Sequence, residues 1–311
     1  MTLGPEQADE ALRHKVAAFE VARDVVVVAG PDAAGYLQGQ CSQDVDALAA
    51  GASADALLLT PQGKLDALVR VTRTGPDRFL VDVDGGFGPA VVTRLLRFRL
   101  RVKVDIEPLN WRCLAVRGPG SPAAVDPTRT GAAGVEAALA WAWGDLVGAD
   151  LLGPAPTAPS GVVTVGVEAW EPIRIEAGIP KMGAELDERT IAAEAGLLDR
   201  AVSFTKGCYT GQELVARLDA RGNRVSRRLR GLVVEPRSGP PGAVLPGAIA
   251  PGDVVSVGER TVGTVTSAAW SPHLGTVVAM AYLHRDTAVP GPVVIGSGGV
   301  PAEARELPLD G

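Results

Sequence analysis

The sequence has little of the side-chain chemistry that most metal and redox sites use. Only three histidines and three cysteines occur among 311 residues, and no two cysteines have Cys-x-x-Cys spacing. A zinc site built from histidine and cysteine is therefore not expected, and no metal-binding residue is assigned. An odd number of isolated cysteines also argues against a disulfide framework and for a reducing compartment.

Long hydrophobic runs and excess positive charge are missing as well. The longest apolar runs, such as residues 25–30, are too short to span a bilayer, and the N-terminus lacks the apolar segment of a signal peptide. The formal net charge is −6, so no general attraction to nucleic acid or anionic membranes is expected. We therefore expect a cytoplasmic protein that contacts neither membranes nor nucleic acid directly.

Common catalytic motifs are absent too. Gly63-Lys64 is similar to the end of a phosphate-binding loop, but Leu58 stands where that loop needs glycine, and Leu65 where it needs serine or threonine. No Gly-x-Gly-x-x-Gly opens a helix and no Gly-x-Ser-x-Gly occurs. These absences disfavour the common kinase, dehydrogenase and hydrolase classes.

The composition that is present, 46% hydrophobic and 21% charged, is typical of a globular protein. Its length suggests two or three domains. Buried or half-buried strands are predicted at residues 24–30 and 77–86, and two more within 54–74, joined at the Pro61-Gln62-Gly63 turn. Residues 87–97 are predicted to be helical. Strands with dispersed helices indicate the α+β class.

Residues 97–107 alternate between cationic and apolar side chains. This alternation predicts a half-buried strand, with one face formed by Arg97, Arg99, Arg101 and Lys103. A solvated face is one interpretation of the cations, and the border of an anion site is the other.

The last part of the chain has a different pattern. Residues 235–253 are rich in proline and glycine, as at a domain edge or in a set of hairpin turns. The short β-branched runs that follow predict a small all-β C-terminal domain.

Residues 206–213, KGCYTGQE, place one cysteine in unusually polar surroundings. Thr210 and Glu213 have the spacing of a capping box, so we expect a helix that begins at Gly211, with Cys208 just before its N-terminus. Helix N–H groups and nearby cations favour the thiolate form of a cysteine at such a position.

A purely structural role explains this cysteine equally well. Cys208 could be a small residue packed into a turn that Gly207 and Gly211 make tight, and the chemistry of the residues leaves both interpretations open. For Cys113 and Cys41 we favour packing roles, because the first lies in an apolar strand-like segment and the second where serine would also serve.

Arg174 and Glu176 form a second polar group. They alternate with isoleucines and predict a short strand that ends at Gly178. A carboxylate beside an arginine can accept two parallel hydrogen bonds from a planar amidine-like edge. The alternative is a surface ion pair, which contributes little.

These motifs together carry a family resemblance. Residues 174–222 strongly resemble the YgfZ family of folate-binding proteins, relatives of the glycine-cleavage T-protein, and KGCYTGQE matches that family's signature KGC[FY]xGQE. The other segments that are similar, in the same order, are 37–45, 58–67, 96–104 and 262–283. The resemblance implies an α+β, three-lobed aminomethyltransferase-like fold with a central folate channel. Residues 1–230 would form two interleaved subdomains, and 231–311 a β-barrel-like domain.

The resemblance also implies a function. The protein would be a tetrahydrofolate-binding accessory factor, using the cofactor or a one-carbon derivative, for assembly or repair of iron–sulfur enzymes, including tRNA-modifying ones. Its partners would be those enzymes or cluster-assembly proteins. The functional thiol would be Cys208, with Lys206 beside it. The other motif residues would be structural: Gly207, Tyr209, Thr210, Gly211, Gln212 and Glu213.

The implied folate contacts lie outside the motif. Glu176, with Arg174, matches the T-protein stretch that holds the pterin ring. Cations that could meet the glutamate tail are Arg97, Arg99, Arg101, Arg217 and Arg221.

Two alternative functions stay open. One is the aminomethyltransferase of glycine cleavage, although the T-protein's catalytic aspartate after an Asn-Ala step has no counterpart in residues 79–95, where Asp82 and Asp84 come too early. The other is a folate-binding scaffold without chemistry, for which Cys208→Ser would be silent.

Overall fold

The computed structural model describes residues 3–121, 132–235 and 249–309. In that part of the chain, sixteen strands form two five-stranded sheets and a closed six-stranded barrel, and six α-helices connect or cover them. The predicted α+β class with a C-terminal barrel is confirmed. Most of the proline- and glycine-rich segment 235–253 lies outside the described residues.

The strands, in chain order, are β1 (Ala17–Val21), β2 (Arg23–Ala29), β3 (Ser53–Leu59), β4 (Leu65–Gly75), β5 (Arg78–Asp84), β6 (Asp105–Leu109), β7 (Arg112–Arg117), β8 (Ala137–Trp143), β9 (Leu146–Gly153), β10 (Val163–Thr164), β11 (Arg227–Val234), β12 (Val254–Val257), β13 (Arg260–Ser271), β14 (Thr276–His284), β15 (Gly291–Ile295) and β16 (Val300–Arg305). The α-helices are α1 (Pro5–His14), α2 (Ala33–Gln40), α3 (Gly88–Arg97), α4 (Glu171–Glu176), α5 (Leu198–Ala201) and α6 (Gln212–Asp219).

The first sheet has the order β3-β4-β5-β2-β6, with antiparallel neighbours throughout. The valine run of β2 is buried between β5 and β6 because β-branched side chains pack well on a pleated surface. Gly63, at φ 80°, lies in the predicted turn between β3 and β4. Tyr36 of α2 and Leu95 of α3 belong to the same core.

The second sheet has the order β10-β1-β7-β9-β8 and is covered on one side by α1. Phe19 of β1 stacks on Trp170, with ring centroids 5.5 Å apart. Trp141 of β8 meets Trp170 edge to face at 5.7 Å. These aromatic contacts join the sheet to the segment that leads into α4.

The third unit is the barrel, with the order β11-β14-β13-β12-β15-β16 closed by pairing of β11 with β16. Closure removes exposed strand edges. Its interior is filled by aliphatic side chains such as Leu232, Val277 and Ile295. Helix α4 packs on β13 and β14, so it lies against the barrel while its start contacts the second sheet.

Two sequence predictions of strands are wrong. Residues Arg174 and Glu176 lie in helix α4, not in a strand. Residues 173–176 are too few to distinguish the two-residue period of a strand from the 3.6-residue period of a helix. Packing against the barrel stabilises the helix. Residues 97–104 do not form a strand either: α3 ends at Arg97 and β6 begins at Asp105. Leu100, one of the apolar residues that alternate with the cations of the predicted half-buried strand, is 76% exposed.

No α-helix in the described ranges is both long and apolar enough to cross a membrane.

Candidate functional site

Cys208 is the only exposed cysteine of the three. It lies in an irregular loop directly before α6. Cys41 and Cys113 are buried, as predicted; burial raises the pKa of the Cys41 thiol to about 12 and also raises that of Cys113. A reagent in solvent can therefore reach Cys208. The thiols of Cys41 and Cys113 are buried and protonated, so they are protected from it.

The helix after Cys208 begins differently from the prediction. Its N-cap is Gly211, in the left-handed conformation at φ 84°, with no side-chain cap bond, so the predicted Thr210–Glu213 capping box is wrong. Instead, the Gln212 side chain accepts a hydrogen bond from the Tyr209 N–H at 3.1 Å. The left-handed turn is accessible to glycine without the steric cost that other residues meet.

Gly211 is also required by a close approach between two segments. A Cβ on Gly211 would lie 2.5 Å from the Thr60 carbonyl oxygen, and one on Gly63 would lie 2.4 Å from the Leu214 Cβ. The β3–β4 turn therefore packs directly on the start of α6. Two segments far apart in sequence, 58–67 and 206–213, meet through glycines at both contact points.

Lys206 anchors the same loop to a third segment. Its ammonium donates to the carbonyl oxygens of Gln38 at 2.6 Å, Cys41 at 2.8 Å and Gln43 at 2.7 Å. The Gln38 carbonyl lies in the last turn of α2, where helical carbonyls need outside donors, and the Cys41 and Gln43 carbonyls follow the end of the helix. Partial burial lowers the pKa of the lysine. All three ammonium protons are thus committed to holding residues 38–43 against the Cys208 loop.

Arg174 is buried where helix α4 contacts the barrel. Its guanidinium donates to Glu171, to Glu185 at 3.0 Å and to the Ser267 hydroxyl at 2.7 Å. It also donates to the Ile179 carbonyl. Arg174 therefore ties α4 to barrel strand β13, and each of its guanidinium nitrogens donates a hydrogen bond.

Glu176 points to a different side of α4. Its carboxylate is buried, pairs with Arg13 of α1 at 2.5 Å, and lines a cavity of about 220 Å3 together with Trp143 and Ile173. We call this the Glu176 cavity. Arg174 instead lines a second cavity, of about 160 Å3, with Arg70, Arg117 and Trp141. We call this the central cavity.

A buried ion network forms one wall of the central cavity. Arg70 of β4 donates to Asp82 of β5 at 2.9 and 3.0 Å and to Asp150 of β9 at 2.7 Å. Arg23 binds Asp82 from the other side at 2.5 Å, and Arg117 binds Asp150 at 2.7 Å. The network links the first sheet to the second.

Charge compensation within this network is tight. Burial opposes ionisation of Asp150, but Arg117 and Arg70 outweigh it and hold the pKa of that carboxyl well below its usual range. Arg23 also donates to Asp84 at 3.0 Å, and the second Asp84 oxygen accepts the Met182 N–H at 2.9 Å. Both carboxylate oxygens of Asp82 and of Asp84 thus already accept hydrogen bonds within the protein.

The predicted tail-binding cations lie elsewhere. Arg99, Arg101 and Arg217 are all exposed, and none of them lines the Glu176 cavity or the central cavity. Arg99 donates to the Val104 carbonyl, and Arg101 has a positive φ of 59°. Within the described ranges, none of these three forms an ion pair.

Sequence reasoning missed the central network. Arg70, Asp82 and Asp150 each interrupt an apolar strand, which is a signal that a buried charge has a partner. The partners of Arg70 could not be identified, because Asp82 lies 12 residues away on the neighbouring strand and Asp150 lies 80 residues away on the other sheet.

Within the described ranges, no group of three or more His, Cys, Asp and Glu residues could hold a metal ion.

This chain is similar to known proteins both in sequence and in fold. Residues 4–148 match the model of the GCVT N-terminal domain, and residues 227–309 match that of the glycine cleavage T-protein C-terminal barrel domain. An aminomethyltransferase of Rubrobacter xylanophilus is 30% identical over 98% of this chain and 86% of its own length. The crystal structure of aminomethyltransferase T from Bartonella henselae aligns with a TM-score of 0.81 at 22% identity, over 99% of this chain and 90% of that one.

A relative with a different name is similar over less of its length. The mitochondrial iron-sulfur cluster assembly factor IBA57 homolog of Chaetomium globosum is 29% identical over 69% of this chain and 55% of its own length. Similarity thus extends both to relatives named as aminomethyltransferases and to one named as an iron-sulfur cluster assembly factor.

Proposed function

The chain belongs to the glycine cleavage T-protein family, and on that premise we propose that it is a tetrahydrofolate-binding accessory protein for assembly or repair of iron–sulfur enzymes. Within the family we assign it to the YgfZ-like branch, on the KGCYTGQE motif. Cys208 is its functional thiol. Its clients are iron–sulfur enzymes or cluster-assembly proteins, including enzymes that modify tRNA, and it works in the cytoplasm.

The observation that carries the proposal is the construction of the Cys208 loop. The thiol is exposed, yet the loop is held by the three hydrogen bonds of Lys206 and by the contact of Gly211 with Thr60. An exposed nucleophile on a fixed loop is suited to passing the group that it binds to or from another protein. Lys206 acts here as the positioning residue of the thiol.

The relative from Chaetomium globosum supports this choice, because its name assigns it to iron–sulfur cluster assembly. Clusters are usually held by four protein ligands, so a single thiol needs further ligands from a client. Cys208 therefore acts at a protein–protein contact in this proposal, and not as a resident cluster site.

Folate binding rests on the Glu176 cavity. A buried carboxylate held by Arg13 is an acceptor for the 2-amino and N3–H edge of a pterin, so the residues present fit the ring. When bound, tetrahydrofolate or a one-carbon derivative would supply one-carbon chemistry. Arg174 supports α4 from the other side. The exposed Arg99, Arg101 and Arg217 line neither cavity, so in this proposal they contact only a glutamate tail that extends out of the Glu176 cavity.

An aminomethyltransferase is the second candidate, because the Rubrobacter xylanophilus relative carries that name. The position of Asp84 argues against it. Both carboxylate oxygens of Asp84 already accept hydrogen bonds from the protein, and no aspartate follows in residues 85–95. A non-catalytic folate-binding scaffold is the third candidate, and it predicts that the thiol is dispensable.

The test is complementation in cells that lack their own copy of the gene. Wild type, Cys208→Ser and the control Thr205→Ala, an exposed position in the same loop, are expressed at equal levels. The modified nucleosides that an iron–sulfur tRNA-modifying enzyme produces are then measured. We expect wild type and Thr205→Ala to restore them and Cys208→Ser to fail. Full restoration by Cys208→Ser would contradict the functional thiol, and aminomethyltransferase activity of the purified protein would favour the second candidate.

A further inference from the structure

The end of α3 and the loop after it carry positive charge that the rest of the protein does not balance. Residues 85–104 contain five arginines or lysines and no aspartate or glutamate, in a chain whose formal net charge is −6. Of the five, Arg94 alone is paired with a carboxylate in the described ranges, that of Asp66 at 2.9 Å. The other four are exposed: Arg97, Arg99, Arg101 and Lys103.

Two leucines of the same segment are exposed among these cations. Leu96 is 44% exposed and Leu100 is 76% exposed, the largest fraction for a large hydrophobic residue in the described part of the chain. A single exposed leucine needs no explanation, but arginine beside apolar side chains is the composition of many protein–protein interfaces. We call Leu96, Arg97, Leu100 and Lys103 the 96–103 surface. Arg99 and Arg101, which the folate proposal assigns to the glutamate tail, are not part of it.

The segment that carries this surface is held in one shape. The Arg99 N–H donates to the Leu96 carbonyl at 3.1 Å, and the Lys103 N–H donates to the Asp32 carboxylate at 2.7 Å. Arg101 has a φ of 59°, a conformation that is unfavourable for a residue with a Cβ and persists only where the surrounding structure imposes it. A partner would therefore meet a preformed surface, which lowers the entropy cost of binding.

A groove connects the 96–103 surface to the turn that supports the Cys208 loop. It is lined by Arg97 and Phe98 on the side of α3 and by Pro61 on the side of the β3–β4 turn, and its volume is about 580 Å3. That volume is in the range of clefts that hold drug-sized molecules, so it has room for a few side chains. The same turn packs on Gly211 at the start of α6. A segment bound in the groove would thus lie beside the turn on which the motif loop rests.

The charges and the leucines together select one kind of partner. Arginine clusters recognise acidic protein segments, because guanidinium groups make strong charge-assisted hydrogen bonds to carboxylates. The exposed leucines need apolar side chains next to those carboxylates, and a nucleic acid does not offer them. Nucleic acids and anionic membranes are also extended polyanions, which meet the net negative charge of the whole chain. An acidic protein segment needs to meet only the local cations.

We propose that the 96–103 surface and its groove form a docking site for an acidic protein segment with leucine-like side chains between its carboxylates. The proposal describes the surface of a client, so it rests on the proposed function for what that client is. It does not involve the Cys208 thiol or the Glu176 cavity.

The test uses a fluorescein-labelled synthetic peptide, Glu-Glu-Leu-Glu-Glu-Leu-Glu-Glu, as the probe. One matched peptide has serine in place of both leucines, and a second has glutamine in place of every glutamate. Binding to the full-length protein is measured by fluorescence anisotropy at low and high salt. We expect the probe to bind at least tenfold more tightly than either matched peptide, and more weakly at high salt, because salt screens exposed charges.

Variants at exposed positions locate the binding without threatening the fold. The double variant Arg97→Glu/Lys103→Glu should weaken binding of the probe at least tenfold, and Leu100→Ser at least fivefold. The control Arg285→Glu, at an exposed arginine directly after β14, should bind the probe as wild type does. Leu100→Ser should also leave tetrahydrofolate binding unchanged, so failure of the docking site and failure of the proposed function are separate results.

Two polyanions serve as competing probes, transfer RNA and vesicles that contain phosphatidylserine. The proposal requires both to bind more weakly than the acidic leucine peptide. Absence of peptide binding, equal binding by the double variant, or tighter binding of either polyanion overturns it. The cations would then be a solvated face or a polyanion site.

Discussion

Lys206 should contribute more to stability than a lysine in an exposed loop ordinarily does. The ammonium donates three hydrogen bonds of 2.6–2.8 Å to carbonyls of residues 38–43. Hydrogen bonds to charged groups contribute about 1.5–3 kcal/mol each, but the three share one side chain, and water can reach the partly buried carbonyls once it is removed. We therefore expect Lys206→Met to lower the free energy of unfolding by about 3 kcal/mol, well below the simple sum.

The assay is denaturant unfolding of purified protein. Lys64→Met is the matched control, because Lys64 is an exposed lysine in the neighbouring β3–β4 turn, and surface substitutions usually change stability by less than about 0.5 kcal/mol. A Lys206→Met protein that unfolds within about 0.5 kcal/mol of wild type would refute the anchoring role. The loop geometry would then have to come from the glycine contacts alone.

Three further predictions concern the motif and the central network. In native protein, iodoacetamide should modify Cys208 at least tenfold faster than either buried cysteine, by mass spectrometry of peptides; equal rates would show that the interior opens readily. Gly211→Ala should destabilise by about 2 kcal/mol or more, because left-handed backbone costs a non-glycine residue about 1–2 kcal/mol and the Cβ would also contact Thr60. Gly207→Ala, with open space around its Cα, should be near neutral, and similar losses in both would refute the packing argument. Asp150→Asn should cost about 3–5 kcal/mol at pH 7, because it leaves the buried Arg117 without its carboxylate and removes one of the two carboxylate partners of Arg70. Since the folded-state pKa of Asp150 is depressed, the wild-type advantage is complete above the unfolded value of about 4 and shrinks as pH falls below it; an advantage that grew towards acid would contradict this.

Much of the fold could be predicted from local patterns. The strand at Arg23–Ala29 and the strand pair joined at Gly63 carry β-branched runs and a turn glycine, which are signals within a few residues. Helix α4 could not be predicted, because six residues are too few for a helical period to stand out. Its packing against the barrel involves residues about 90 positions later in the chain, such as the contact of Arg174 with Ser267.

The candidate site, too, could be predicted only where its signal lies in residues that are neighbours in the sequence. KGCYTGQE marks its own loop, but the functions of Lys206 and Gly211 depend on residues 38–43 and on Thr60, which only the folded chain brings near. The central network combines charges from both sheets, and sequence spacing contains no information about such pairs. The division of Arg174 and Glu176 between two cavities follows from the helix, which turns two residues that are neighbours along one strand face onto different sides.

The central claim, folate binding at Glu176, is tested most directly by titrating purified, reduced protein with tetrahydrofolate. Wild type is compared with Glu176→Ala, Cys208→Ala and the control Glu168→Ala at an exposed glutamate, each first shown to be folded. We expect binding by wild type, Cys208→Ala and Glu168→Ala, and loss of binding in Glu176→Ala. Binding by Glu176→Ala as tight as wild type, or no binding by wild type, would contradict it.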